Sequence, residues 1–288
     1  MPASAPPLVL MLQLDAADPP GRLAQWLDDA GLDVQVVDLA AGAPVPALDD
    51  AAGLVVLGGT MSHDADVTYP FLPAVRAALR DAVSTELPTL AVCLGAQLLA
   101  VANGGRVVPN PEGPELGAQL VAKRANAAND PLFRPLPIAP DVIQWHYDTI
   151  ATLPPGALHL ASSPVCEHQA FRLGRLAWGV QFHIETTPEV VRGWARADAP
   201  DLADYDLDRI LARAEAVHED IEQTWQPFAA EFAALVRDPS SAPAARGIAT
   251  STAEPITDPA AIRAALAAEL GAARSPLPMP TLRPRQDG

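Results

Sequence analysis

The feature that most constrains the fold is a regular alternation of short apolar runs with amphipathic segments over the first 105 residues. Apolar runs with the length of a buried strand occupy residues 8–14, 33–39, 53–57 and 88–92. Apolar residues recur at steps of three or four, as on one face of a helix, in segments 21–30 and 69–87. A further helix is predicted from Cys93 to Ala102, where Gly104 and Gly105 close it. Strands that alternate with helices predict an α/β fold of three layers, with helices on both faces of a mostly parallel central sheet. The C-terminal ends of such strands lie along one edge of the sheet, where ligands bind.

The pattern changes after residue 105. Short strand-like segments separated by Pro and Gly turns predict an antiparallel or mixed extension of the sheet, and they lie at 158–161, 165–172 and 176–182. A helix is expected to begin at Pro188, since proline is well tolerated in a first turn, and to run to about Ala197. Residues 1–200 are therefore predicted to form the main domain.

Residues 201–238 are predicted to form a C-terminal helical extension, because apolar residues recur at helical steps through this segment. Pro227 is expected to kink or split the helix. We favour packing of the apolar stripe onto the protein's own sheet domain over a partner or dimer surface. Residues 239–288 are rich in Ala, Pro, Ser and Thr and are expected to be a mobile tail, in which a weak helix is conceivable only at 258–274.

Composition excludes several classes of partner. The chain carries 35 acidic and 19 basic residues, and its net charge of −16 repels nucleic-acid phosphates and anionic membrane surfaces. No segment reaches the ~20 apolar residues of a membrane helix, and the N-terminus lacks the basic residues of a signal peptide. Two cysteines are too few for a disulfide scaffold, so we expect a reduced, cytoplasmic protein whose oligomeric state stays open. No cofactor or metal is expected, because the acidic residues around 198–208 lack ligand spacing.

The sharpest local feature is Cys93, at the point where a predicted buried strand runs directly into a predicted helix. Such a joint exposes a side chain on a tight turn at the sheet edge, near the positive end of a helix. A thiol in that environment favours the reactive thiolate form. Gly95 would allow another part of the backbone to approach closely. Cys93 is therefore a candidate nucleophile, whereas Cys166, inside a strand-like segment, is interpreted as structural.

A nucleophilic cysteine needs a base, and the base needs a group that orients it. His183 follows an apolar strand-like segment, and Glu185 comes two residues later. Side chains at positions i and i+2 of an extended chain point the same way, so the Glu185 carboxylate can hold the second imidazole nitrogen. The paired glycines Gly58 and Gly59, directly after a strand, allow a left-handed backbone that offers an N–H to an oxyanion, with the Leu94 N–H as a second donor.

Together these motifs resemble the class I glutamine amidotransferase family, most closely stand-alone proteins similar to the glutaminase part of GMP synthase. The resemblance spans about residues 8–197 and rests on three motifs in order: G-G-T-M-S at 58–62, C-L-G-A-Q at 93–97 and Q-F-H-I-E at 181–185. Shorter matches lie at 69–72, 115–117, 145–148 and 166–171. Three neighbours of the motif residues depart from the family pattern: Thr60, Ala91 and Ile184.

The resemblance implies a role for each matching residue. Cys93 would attack the side-chain amide of glutamine, His183 would carry the proton and Glu185 would orient His183. Backbone N–H groups of Gly59 and Leu94 would form the oxyanion hole. The residues implied in binding glutamine are Gln97, Trp145 and His146.

The partner and substrate remain open at this point. The chain has no P-loop and no Ser-Gly-Gly pyrophosphatase loop, so it carries no recognisable domain that activates an ammonia acceptor. One interpretation is a glutaminase that passes ammonia to a separate synthetase. A second is a stand-alone hydrolase of γ-glutamyl amides or peptides that uses the same triad. A third is a binding or scaffold module that kept the fold and lost turnover.

Overall fold

The structure is a computed structural model, and it describes residues 5–243. Twelve strands and five α-helices are assigned in this segment. The strands are β1 (Leu8–Gln13), β2 (Asp33–Asp38), β3 (Gly53–Val56), β4 (Thr89–Val92), β5 (Arg106–Pro109), β6 (Glu115–Leu120), β7 (Ala122–Lys123), β8 (Asp141–His146), β9 (Asp148–Thr152), β10 (Leu158–Ser162), β11 (Ala170–Leu173) and β12 (Ala177–Val180). The helices are α1 (Gly21–Asp29), α2 (Leu72–Ser84), α3 (Leu94–Ala102), α4 (Pro188–Asp198) and α5 (Leu207–Arg237).

The centre of the protein is an eight-stranded sheet in the order β2-β1-β3-β4-β12-β11-β10-β7. The first five strands of this order pair in parallel, and the remaining pairings are antiparallel. The predicted mostly parallel sheet is therefore confirmed. The predicted extension is present in β7, β10 and β11, but two other pairs, β5–β9 and β6–β8, form separate two-stranded sheets.

Two hydrophobic layers cover the central sheet, as expected when side chains alternate across a strand. In β1, Val9 and Met11 belong to the layer that contains α1, α4 and α5, whereas Leu10 and Leu12 belong to the layer that contains α2 and α3. The central strands are apolar on both faces because helices cover both faces of the sheet. This arrangement leaves the C-terminal edge of the parallel strands free for loops.

The predicted strand over 165–172 is wrong in its first half. Only Ala170–Leu173 is a strand, and Cys166 lies in the preceding loop. Ser163 produces the turn: its Oγ accepts from the Cys166 N–H at 3.0 Å, and its own N–H donates to the Cys166 carbonyl at 2.8 Å. This local side-chain bond replaces a sheet ladder. The helix expected over 69–87 is also shorter, since α2 begins at Leu72.

Pro227, expected to kink or split the C-terminal helix, lies within α5. Helix α5 is continuous for 31 residues, so it is not split there. The Asp206 side chain caps its start by accepting from the Arg209 N–H at 3.1 Å. Its apolar stripe is buried against the rest of the domain, where Trp225 packs on Phe133 and donates from Nε1 to the Asp141 carbonyl at 2.9 Å. Burial on both sides of Pro227 offsets the lost backbone hydrogen bond.

Residues Pro239–Ser241 form a short 3-10 turn after α5, and Arg175 ties this end of the described chain to the sheet. Arg175 donates to the carbonyls of Ala242 at 2.8 Å and Pro239 at 3.0 Å. The remainder of the predicted tail, with the candidate helix at 258–274, lies outside the described residues. Within the described residues, no helix combines the length and apolar character needed to cross a membrane.

Candidate active site

Cys93 occupies the turn between β4 and α3 with an unusual backbone conformation, φ 51° and ψ −111°. A non-glycine residue at positive φ costs ~1–3 kcal/mol and is concentrated at functional sites. The turn is held by two backbone bonds, from the Cys93 N–H to the Val180 carbonyl at 2.8 Å and from the Gln97 N–H to the Cys93 carbonyl at 3.1 Å.

Gly95 makes this turn possible. A Cβ built on it would lie 2.3 Å from the carbonyl oxygen of Val56 at the end of β3. The prediction that Gly95 permits a close backbone approach is therefore confirmed. The N-terminus of α3 sits tightly against the sheet edge, and the sulfur is held there with 6% of Cys93 exposed.

His183 follows β12 at the same edge. Its backbone forms two hydrogen bonds with Ile143, at 2.8 and 3.2 Å, which fix its position. The ring nitrogen Nδ1 lies 2.6 Å from Oε1 of Glu185, and Oε2 of Glu185 accepts from the Ile184 N–H at 2.9 Å. Both residues are buried, and the His183 ring packs on Trp194 with centroids 4.6 Å apart. Both oxygens of the Glu185 carboxylate therefore have partners, and one of them holds the imidazole.

The charges around His183 favour its protonated form. Burial lowers the pKa of His183, but the Glu185 carboxylate and the Cys93 sulfur, which is also its hydrogen-bond partner, raise that pKa well above the ordinary value. An imidazolium thus faces the sulfur, and the start of α3 adds the partial positive charge of a helix N-terminus. A positive charge beside the sulfur is the environment in which a cysteine acts as a nucleophile.

Asp18, in the loop after β1, is a site residue that our sequence reasoning did not include. Burial raises the pKa of Asp18 to about 6; His183 opposes the shift, and the carboxylates of Glu185 and Asp15 add to it. Only 6% of the residue is exposed, and it lies on the wall of the cavity described below. The sequence position of Asp18 could have identified it, because it follows the first parallel strand, and the C-terminal ends of these strands form the edge where ligands bind.

The paired glycines after β3 differ from the expectation in their backbone conformation. Neither Gly58 nor Gly59 has a positive φ, so the left-handed backbone expected there is wrong. Both are instead confined by space. A Cβ on Gly58 would lie 2.6 Å from Oδ2 of Asp18, and one on Gly59 would lie 2.6 Å from the sulfur of Met61. A larger residue at either position would have to displace one of these side chains.

These residues surround one cavity of about 670 Å³. Its walls include seven of the eight residues expected at the site: Cys93, His183, Gly59, Leu94, Gln97, Trp145 and His146. The eighth, Glu185, lies behind His183. No lysine or arginine is among the lining residues in the part of the chain that the structure describes, whereas Asp18, Asp148, Glu189 and Asp198 are.

Two glutamines lie beside the nucleophile. Gln97 is buried and donates from Nε2 to Oε1 of Gln181 at 3.2 Å, and the Gln181 Nε2 lies 3.7 Å from the Cys93 sulfur. Gln181 is a second site residue that the sequence reasoning missed, although it belongs to the Q-F-H-I-E motif. Elsewhere in the lining, Asp198 accepts from Trp145 Nε1 at 2.9 Å and from the Tyr147 hydroxyl at 3.0 Å. Hydrogen bonds thus fix several of the side chains that line the cavity.

A buried polar network supports the wall at His146. Nε2 of His146 lies 3.1 Å from the Glu115 carboxylate, which also accepts from the Ser163 hydroxyl at 2.7 Å and from Gln169 Nε2 at 2.6 Å. Cys166 lies in the same region, where burial raises the pKa of its thiol to about 12, with the Glu115 charge adding to the shift. This thiol stays protonated at neutral pH, which fits a structural cysteine.

The fold and the site define an α/β protein with a cysteine, a histidine and a glutamate aligned at the C-terminal edge of a parallel sheet. Comparison with known proteins gives the family. The model of the family "Glutamine amidotransferase class-I" matches residues 21–193, and the chain belongs to this family.

Relatives among known sequences and solved structures agree with this assignment. A glutamine amidotransferase-like protein of Salmonella typhimurium is 29% identical over 195 residues, covering 66% of this chain and 81% of the relative. One of the subunits of the glutamine-hydrolysing GMP synthase from Halobacterium salinarum is 34% identical over 157 residues, covering 54% and 77%. The crystal structure of a glutamine amidotransferase from Thermotoga maritima superposes with a TM-score of 0.71 at 27% identity, covering 79% of this chain and 98% of that one.

Proposed function

We propose that this chain hydrolyses the side-chain amide of glutamine, through Cys93, His183 and Glu185, and releases glutamate and ammonia. The observation that carries the proposal is the continuous line of contacts from the Cys93 sulfur through the His183 ring to the Glu185 carboxylate, at the wall of an open cavity. A nucleophile, a proton carrier and an orienting group are the three parts that covalent acyl transfer requires.

The reaction proceeds in two halves. The Cys93 thiolate attacks the amide carbonyl carbon, and the His183 imidazolium gives its proton to the nitrogen as the carbon–nitrogen bond breaks. Ammonia leaves, and a γ-glutamyl thioester remains on Cys93. Water then attacks the thioester, the now neutral His183 takes a proton from that water, and the carbon–sulfur bond breaks to restore the thiolate–imidazolium pair. Glu185 keeps the ring in the tautomer that both proton transfers need.

The negative charge on the carbonyl oxygen needs donors on the side of the cavity formed by Gly59 and Leu94. We assign their backbone N–H groups to this oxyanion hole, since both residues line the cavity beside Cys93. Losing one such donor typically costs ~10²–10³ in rate. Gln97, Trp145 and His146 are assigned to substrate binding, where the hydrogen bonds of Gln97 to Gln181 and of Trp145 to Asp198 fix their positions.

The ammonia acceptor is proposed to belong to a separate synthetase. Several relatives are named as single subunits of GMP synthase, so these relatives are one part of a larger enzyme. The described residues of this chain are accounted for by the amidotransferase fold and α5. An acceptor-activating partner is therefore expected to dock beside the cavity mouth.

A second candidate is hydrolysis of γ-glutamyl amides or peptides by the same triad. The cavity of about 670 Å³ favours this candidate, because ~300–1,000 Å³ is the size of pockets that enclose drug-sized ligands, which are larger than glutamine. The two candidates differ only in the group that leaves from the carbonyl carbon.

The experiment that tests the proposal is labelling with a glutamine-mimicking electrophile, followed by peptide mass spectrometry. Cys93 should be labelled and Cys166 spared, and Cys93→Ser should abolish both labelling and glutamate release. Cys166→Ser is the matched control and should keep both. Labelling of Cys166, or turnover that survives in Cys93→Ser, would overturn the proposal. A panel of glutamine and γ-glutamyl dipeptides, assayed without a partner, then separates the two candidates.

A further inference from the structure

A second group of ligand-forming side chains lies outside the catalytic cavity, where β10 meets the loop that precedes β11. It consists of His159 on β10 and of Glu167 and His168 in the loop. A ring nitrogen of each histidine and a carboxylate oxygen of Glu167 all lie within 4.8 Å of one another. The centroids of the two imidazole rings are 5.0 Å apart. None of the three residues lines the cavity.

Hydrogen bonds define which nitrogen of each ring is free. Nε2 of His159 lies 2.9 Å from the Ala161 carbonyl oxygen and 2.7 Å from that of Glu167. Because carbonyl oxygens only accept, Nε2 carries the hydrogen and Nδ1 keeps its lone pair. Nδ1 of His168 lies 2.7 Å from the Ile150 carbonyl oxygen, which leaves the lone pair on its Nε2. Histidines that bind metals are oriented in this way, with the second ring nitrogen donating to a carbonyl or carboxylate.

The charges beside the cluster and its exposure leave it open to a cation. Arg124 lies close enough to His159 to interact with it electrostatically. Arg124 is a positive charge that opposes a bound cation, and the exposed Glu167 carboxylate offsets it. Exposure of Glu167 also leaves a path for an ion and for water ligands.

We propose that His159, Glu167 and His168 form a binding site for one divalent transition metal ion. Two imidazoles and one carboxylate, with positions open to water, suit Zn²⁺ and similar ions better than Mg²⁺ or Ca²⁺, which prefer oxygen ligands. The His168 bond to Ile150 connects the site to β9, and β9 begins at the cavity residue Asp148. A bound ion would therefore clamp the β10–β11 loop onto a strand that leads to the cavity.

A rival cluster, Glu115, His146 and Cys166, is fully buried and also has its ligand atoms within 4.8 Å. There, both Glu115 oxygens already accept hydrogen bonds from Ser163 and Gln169. An ion at that place would have to replace these bonds, so the accessible cluster is the better site.

The test is calorimetric titration of the full, untagged chain with Zn²⁺ alone, in a Cys93→Ala background that removes the sulfur ligand at the cavity wall. One equivalent should bind. His159→Gln and His168→Gln should each weaken binding at least ~10–100-fold, the loss that removing an outer-shell partner alone causes. His63→Gln, at a histidine outside the cluster, should leave the affinity unchanged. Circular dichroism of each variant establishes that it is folded.

Co²⁺ replaces Zn²⁺ in a second measurement that locates the ion. Nitrogen and oxygen ligands should give weak visible bands without an intense near-ultraviolet thiolate-to-metal band. An intense band that disappears in Cys166→Ala would place the ion in the rival cluster and overturn the proposal. Failure of Zn²⁺ to bind, or equal binding by folded His159→Gln and His168→Gln, would also overturn it. None of these outcomes bears on glutamine hydrolysis, which is tested separately.

Discussion

Replacing Glu185 by glutamine tests the proposed mechanism most directly, because the two side chains have the same shape. Glu185 accepts two hydrogen bonds, from His183 Nδ1 at 2.6 Å and from the Ile184 N–H at 2.9 Å. An amide has one oxygen and one NH₂ group, so it can accept only one of them. If the NH₂ group faces Ile184, a buried N–H loses its partner, which costs ~1–3 kcal/mol. If it faces His183, the ring must carry its hydrogen on Nε2 and cannot accept a proton from Cys93.

The size of the effect follows from charge and tautomer together. A neighbouring opposite charge shifts a pKa by ~1–3 units, so the pKa of His183 should fall by that amount without the carboxylate. The Glu185→Gln variant also favours the imidazole tautomer that cannot act as a base. The two effects together should lower kcat by ~10²–10⁴, similar to the effect of neutralising the carboxylate of a catalytic triad. KM should change little, since Glu185 does not line the cavity.

The assay is glutamate release at saturating glutamine from pH 6 to 9. Glu189→Gln is the matched control: Glu189 lines the cavity but is exposed and paired with Arg192 at 2.7 Å. We expect its kcat to stay close to that of the unaltered protein, because exposed ion pairs contribute little. The reasoning is refuted if Glu185→Gln keeps more than a third of the original kcat, or if its KM rises while kcat does not change.

Three further predictions concern packing and buried charge. Gly95→Ala puts a Cβ 2.3 Å from the Val56 oxygen and must displace α3. We therefore expect a stability loss of ~1–3 kcal/mol and slower labelling of Cys93 by the electrophile. An unchanged labelling rate would contradict this expectation. Asp18→Asn should stabilise the protein at pH 8 by up to ~3 kcal/mol, at ~1.4 kcal/mol per pKa unit. The folded state binds the Asp18 proton more tightly, with a pKa of about 6 against 3.8. The stability that this group contributes is therefore present below the unfolded value and is lost as pH rises through about 6. If the free energy of unfolding, measured with urea, rises in Asp18→Asn by the same amount at pH 4 as at pH 8, the explanation is wrong. The buried Asp130 carboxylate lies 3.5 Å from the Arg172 guanidinium, and Arg172→Met removes this positive partner. The free energy of unfolding should fall by ~3–5 kcal/mol. A fall below 1 kcal/mol, measured by urea denaturation, would contradict a stabilising role of this pair.

The architecture and the juxtaposition of Cys93, His183 and Glu185 could be predicted because both follow from local patterns. A strand that passes directly into a helix leaves one residue at the joint, and Cys93 is that residue. His183 and Glu185 are two positions apart on an extended segment, so their contact needs no knowledge of the rest of the chain. Parallel strands then bring the two segments to a common edge.

What could not be predicted depends on contacts between distant segments. Strands β1 and β3 are neighbours in the sheet, so the loop after β1 that carries Asp18 lies beside Gly58, which follows β3. This contact between distant segments places Asp18 in the site. A glycine such as Gly58 or Gly59 can be needed for a positive φ or for the absence of a side chain beside a close neighbour. The sequence alone does not distinguish these two reasons. The apolar pattern at 165–172 similarly suggested a strand, because the competing hydrogen bonds of Ser163 leave no periodic signal.

The backbone of Cys93 has a consequence for how variants of this protein should be judged. Glycine adopts a φ of 51° without the penalty that cysteine incurs, so Cys93→Gly should melt at a higher temperature than the unaltered chain. Selection for heat resistance alone would therefore drive position 93 towards an inactive residue. Screens for robust forms of this protein need a turnover readout beside the melting curve.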